Sequence, residues 1–157
     1  GGVNELLAET LGLTGLEQLH QDSVDGQGRP YGIGRVGVLE RDLSAAEFAA
    51  YVKDRLNAAG VRYVDAGRPV RRVAVGGGSC GSMLHDAVAA GCDTFVTADV
   101  KYDVFLEAKA LGINLLDAGH FATEDVVTQP LADKLQAAFA QVSVVKSQAH
   151  KEVVASI

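Results

Sequence analysis

Three short strand-like runs, at residues 70–75, 94–98 and 113–116, each end in small or polar residues and are each followed by a helical pattern. Their β-branched content and length suit strands. Strands that alternate with helices in this way predict an α/β fold, a three-layer α/β/α sandwich with a mixed sheet. In an open sheet of this kind, ligands bind beyond the carboxyl ends of the strands. The residues that follow the three runs are therefore the first place to look for chemistry.

The third run ends in Asp117-Ala-Gly-His-Phe-Ala-Thr-Glu124. Thr123 has the chemistry of a helix N-cap, and acidic residues stand beside it where a helix dipole favours them. His120 and Glu124 then flank the mouth of a helix. Imidazole nitrogen and carboxylate oxygen are compatible ligands for one divalent ion. The same residues also suit a hydrogen-bonded surface histidine and a carboxylate that serves only the helix dipole.

After the first run comes Gly76-Gly-Gly-Ser-Cys-Gly-Ser82. Backbone amides of Gly76, Gly77, Gly78 and Ser79 can face an anion where such a loop opens a helix. The loop lacks the Gly-Lys-Ser/Thr of a P-loop and the GxGxxG dinucleotide spacing. A tight strand-to-helix turn, needing positive φ and close packing, explains the glycines equally well. Cys80 has no nearby base and reads as packing. After the second run, Asp99, Lys101 and Asp103 fall at the same predicted edge, and together the three strand ends suggest one site. His20, His85 and His150 lie outside this pattern.

The flanking chain is less constrained. Residues 3–13 predict a helix with Asn4 as N-cap, and residues 13–19 an apolar connector leading to a strand. Residues 21–30 read as a loop or hairpin tip, and 31–40 as a strand loosened by glycine. Residues 42–59 give the clearest helix, closed by Gly60. Residues 61–66 and 70–75 predict strands that are adjacent or related as a hairpin. Residues 123–140 predict a helix in which Pro130 marks a kink or a second start. A last strand is expected at 142–145 and a further one at Val153-Val154.

The 157 residues suffice for a single domain with a proper core, and 48% apolar with 22% charged content is ordinary for a globular chain. A net charge of −6 argues against a general nucleic-acid binder. No run approaches a membrane span and no signal peptide opens the chain, so the expected compartment is the cytoplasm. Cys80 and Cys92 form no disulfide framework. Gly1-Gly-Val-Asn4 reads as the inside of a loop, which suggests a fragment of something longer.

The segments Val73-Ala-Val-Gly-Gly-Gly-Ser79, Gly91-Cys-Asp-Thr-Phe-Val-Thr-Ala-Asp99, Lys101-Tyr102, Ile113-Asn-Leu-Leu-Asp-Ala-Gly-His120 and Thr123-Glu124 occur in one order. Together they resemble the carboxyl-terminal half of the Ngg-interacting-factor-three-like family, also known as the GTP cyclohydrolase I type 2 family. Gly-His-x-x-Thr-Glu is the most specific part. The chain departs at Ala98, where Gly is usual, and at Asp103, where many relatives carry His.

The resemblance implies a metal-dependent hydrolase with two divalent ions (zinc, iron or manganese) per site, assembled as a ring-shaped homohexamer. His120 and Glu124 match the family's carboxyl-terminal metal ligands. The other ligands come from an amino-terminal half that has no counterpart in residues 1–157. Metal binding by this chain alone is therefore expected to be weak or absent. Substrate handling would fall to Gly76, Gly77, Gly78, Ser79 and Lys101, with a nucleotide-like substrate. The competing expectation is a non-catalytic ring that binds protein or nucleic acid.

Overall fold

The computed structural model describes residues 2–155, and in it a mixed sheet of six strands carries helices on both faces. In chain order the elements are α1 (Val3–Thr10), β1 (Thr14–Gln18), β2 (Ser23–Val24), β3 (Pro30–Tyr31), β4 (Arg35–Leu43) and α2 (Ala45–Leu56). Then come β5 (Arg62–Val64), β6 (Val70–Val75), α3 (Leu84–Ala89), β7 (Thr94–Thr97) and α4 (Tyr102–Leu111). The last are β8 (Asn114–Asp117), α5 (His120–Glu124) and α6 (Thr128–Ala138).

The sheet order is β1-β4-β6-β7-β8-β5, with β2 and β3 forming a separate small hairpin. The central three strands, β6, β7 and β8, are parallel, and their register aligns Val75, Val96 and Leu116. The outer pairings, β1 on β4, β4 on β6 and β5 on β8, are antiparallel.

Alternation along the central strands builds two cores. Val73, Val75, Val96 and Leu116 face α1 and α2, against Leu7, Leu11, Phe48 and Val52. Ala74, Phe95 and Leu115 face the other way, against Leu84 and Ala87 of α3 and Ala108 of α4. Both faces are covered, which is why Val73–Val75, Phe95–Val96 and Leu115–Leu116 are consecutive apolar residues rather than alternating with polar ones. Phe48 and Phe95, each fully buried, anchor the two sides.

Helix ends differ from expectation in four places. Asn4 lies inside α1, whose N-cap is Gly2, and its side chain accepts from the Gly77 N–H at 2.7 Å. Ser44 caps α2 in a capping box with Glu47. That helix closes at Asn57, which takes the left-handed conformation at φ 49°, rather than at Gly60. Thr123 is not an N-cap. It sits within α5, buried, with its hydroxyl 3.0 Å from the Gly119 and His120 carbonyls.

Three strand expectations also change. Residues 14–18, inside the expected connector, themselves form an edge strand. β5 and β6 are not neighbours: both edges of β6 are taken by β4 and β7, so β5 pairs with β8 at the far side. The link between them is held by Asn114, whose side chain accepts from Ala66 N–H at 2.8 Å and donates to the Arg68 carbonyl at 3.0 Å. Residues 142–145 and 153–154 form no strand. The Gln136 amide donates to the Val142 carbonyl and accepts from Val144 N–H, which answers polar groups that a neighbouring strand would otherwise meet. Pro130 marks a second start, at the third position of α6, after a short 3₁₀ turn at Asp125–Val127.

Candidate metal site at the carboxyl edge of the sheet

Because β6, β7 and β8 run parallel in register, the residues after Val75, Thr97 and Asp117 emerge side by side. Hydrogen bonds stitch the three loops together. Gly78 donates its N–H to the Thr123 hydroxyl at 2.9 Å, and its carbonyl accepts from Ala98 N–H and the Thr97 hydroxyl, each at 3.0 Å. The buried Asp117 carboxylate accepts from Val100 N–H at 3.0 Å, from Gly119 N–H at 3.1 Å and from the Arg62 guanidinium. Arg62 in turn lies over the Phe105 ring, 5.4 Å from its centroid.

His120 begins α5 and Glu124 ends it, so one helical turn places both side chains on the same face. His120 Nε2 stands 3.4 Å from Glu124 Oε2, and each side chain is about half exposed. This separation is long for a hydrogen bond. Two donors on a tetrahedral ion with bonds of about 2.1 Å stand about 3.4 Å apart. On its other side, His120 Nδ1 meets Asp99 Oδ2 at 2.6 Å. An ionised carboxylate only accepts, so the proton of that bond belongs to Nδ1, and Nε2 turns a lone pair or a second proton towards Glu124. The hydrogen bond that His120 donates to Asp99, opposed in part by burial and aided by the charge of Glu124, holds the His120 pKa above its ordinary value.

The pair therefore fits as two ligands of one ion. Asp99 cannot join them, because it occupies the opposite nitrogen. Among the described residues no group of three or more His, Cys, Asp or Glu side chains comes together to hold a metal. A ligand set supplied by this chain alone is thus smaller than the three protein ligands usual at catalytic zinc.

The pair lies at a cavity of about 1130 Å³, whose walls include Arg62, Asp99, Phe121 and residues 149–154. The His150 ring tilts against Phe121 at 5.2 Å, and Lys146 pairs with Asp125 at 2.6 Å.

The glycine loop touches the pair directly, since Gly78 lies against both His120 and Glu124. Its amides are already engaged: Gly76 N–H binds the Val96 carbonyl, Gly77 N–H binds Asn4 and Gly78 N–H binds Thr123. Ser79 is exposed at the loop's tip, and exposed Lys101 is the N-cap of α4. Asp103 falls in the first turn of α4. The Cys80 thiol is pushed up by burial and by the nearby Glu124 charge, as a packed rather than a reactive cysteine would be. His85 pairs with Glu107 and His20 with Asp86, both away from the site. The contacts of Asp99 with His120 and of Asp117 with Val100 and Arg62 were not visible in the sequence, because each joins residues 17 or more positions apart.

The sequence profile of the Duf34/NIF3 (NGG1p interacting factor 3) family matches residues 1–152. The chain belongs to this family. A GTP cyclohydrolase 1 type 2 homolog of Bacillus subtilis (strain 168) is 42% identical over 105 residues, covering 66% of this chain and 28% of the relative. Its namesake in Streptomyces coelicolor is 42% identical over 127 residues, covering 78% of this chain and 44% of the relative. The chain thus spans less than half the length of these curated relatives. The crystal structure of a Bacillus cereus protein related to NIF3 shares the family fold, with a TM-score of 0.89 at 22% identity over 99% of this chain and 70% of that one. No helix among the described residues is long and apolar enough to cross a membrane.

Proposed function

We propose that this chain contributes His120 and Glu124 to the metal centre of a metal-dependent hydrolase, completed by residues outside the 157 described by its sequence. The observation that carries the reading is the 3.4 Å separation of His120 Nε2 and Glu124 Oε2 on one turn of helix, at the edge of a cavity of about 1130 Å³. A divalent ion there, zinc, iron or manganese, would supply a water of lowered pKa and polarise the scissile group. His120 would hold the ion through Nε2, and Glu124 would bring the negative charge that a divalent cation requires. The cavity beside them would receive the substrate. The relatives' name points to a nucleotide as substrate, and exposed Ser79 and Lys101 are the groups offered to its anionic part. Assembly into a homohexameric ring belongs to the same proposal.

The test is metal content and hydrolytic turnover in the protein extended to the length of its relatives. His120→Ala should lower occupancy and turnover together, by at least the ~10–100-fold seen when even outer partners of a metal ligand are lost. Glu124→Gln keeps the shape, removes the charge and should weaken binding as well. Stoichiometric metal undiminished by His120→Ala would place the site elsewhere.

A further inference from the structure

Asp99 is one of two non-glycine residues with positive φ among those described, at 53°. The other, Asn57, closes a helix, where that conformation is routine. Asp99 has no such role. Its neighbours hold it there: Ala98 N–H is fixed to the Gly78 carbonyl, and Val100 N–H to Asp117 Oδ2, each at 3.0 Å. With the Thr97–Ala98 and Asp99–Val100 peptides held by different loops, Asp99 lies in the left-handed region, and its carboxylate meets His120 Nδ1 at 2.6 Å. A non-glycine residue held in this conformation costs energy, and such residues collect where side-chain direction matters.

We infer that Asp99 is a positioning residue for His120: its carboxylate accepts the hydrogen bond from Nδ1–H, fixes the imidazole tautomer and turns the Nε2 lone pair towards Glu124. A carboxylate on the far nitrogen of a metal-binding histidine orients the ring and raises its basicity. The inference rests on the metal reading of His120 and Glu124, but its first consequence concerns the metal-free protein. Asp117 takes part at one remove. It fixes Val100 on one loop and Gly119 on the other, and so sets the separation that the Asp99–His120 contact spans.

Two substitutions separate orientation from backbone structure. Asp99→Gly keeps the left-handed conformation without strain and deletes the carboxylate. Asp99→Asn tolerates that conformation and keeps an oxygen that can accept from Nδ1. In the metal-free 157-residue chain at alkaline pH, nitrogen NMR of His120 should show the Nδ1–H tautomer in the native protein and in Asp99→Asn. Asp99→Gly should lose that preference while melting no lower than the native protein. Zinc titrated into the same samples should bind Asp99→Gly ~10–100-fold more weakly than the native chain, with Asp99→Asn between them.

An Asp99→Gly protein with the native tautomer and native zinc affinity would overturn the inference. A changed tautomer with unchanged zinc affinity would overturn its link to the metal. If no variant binds zinc, yet the tautomer follows Asp99, the orientation stands and zinc binding through His120 and Glu124 in this chain fails.

Discussion

A methyl group placed at Gly78 would sit 2.4 Å from Glu124 Oε1 and 3.1 Å from His120 Nε2. The backbone there has a φ of +68°, so any side chain adds strain to the collision. At Gly77 a methyl group would meet Val3 Cγ1 at 2.9 Å and the Thr123 carbonyl at 3.1 Å. Cys80, three residues from Gly77, bonds its thiol to the Gly77 carbonyl at 3.3 Å, a contact that a serine hydroxyl can keep. Thermal or denaturant unfolding should therefore find Gly77→Val and Gly78→Val more damaging than Cys80→Ser, the strained backbone alone accounting for about 1–3 kcal/mol at Gly78. Equal stabilities for the three variants would refute this account of the loop. His120 and Glu124 could be paired from the sequence because one helical turn separates them. Asp99 could not, because 21 positions, with a helix and a strand between them, separate its carboxylate from the ring.

At the scale of elements, the parallel strands were legible because burial on both faces leaves consecutive apolar residues at their centres, while the edges were not. β5 has a partly apolar pattern that suits either side of the sheet, and what places it beside β8 is the long reach of the 65–69 link across Asn114. The start of β6 is held against the foot of β7 by the Asp93 side chain together with a backbone bond from Asp93 N–H to the Arg72 carbonyl at 3.0 Å. Buried Asp93, at the foot of β7, accepts the Arg71 and Arg72 N–H groups at 2.8–3.0 Å and the Thr94 hydroxyl at 2.8 Å. Asp93→Ala strips these donors of their acceptor, and a buried donor left unsatisfied costs about 1–3 kcal/mol. The denaturant midpoint should fall accordingly, and the Arg71 and Arg72 amides should exchange faster with solvent. Native protection of both amides in Asp93→Ala would show that the carboxylate does not hold the register.

For the molecule as a whole, the open question is how the cavity beside His120 keeps its outer wall, because residues 149–154, which line it, carry no helix or strand. Little holds this segment to the body. The Gln136 amide brackets Val142 and Val144, Lys146 pairs with Asp125, and His150 packs on Phe121. Burial tends to raise the Asp125 carboxyl, but the bonds from Lys146 and Thr128 outweigh it and hold the group below its ordinary range. A carboxyl with a depressed folded pKa adds stability that is present above the unfolded value near ~3.9 and is lost as pH falls through the folded one. The wall should accordingly stay in place at neutral pH and loosen only in strong acid. Asp125→Asn imitates that loss at neutral pH. It should speed tryptic cleavage after Lys146 and Lys151, while the fold loses only about 1 kcal/mol or less, since a single pair near the surface contributes little more. Cleavage as slow in Asp125→Asn as in the native chain would mean that His150 on Phe121, rather than the ion pair, holds the wall.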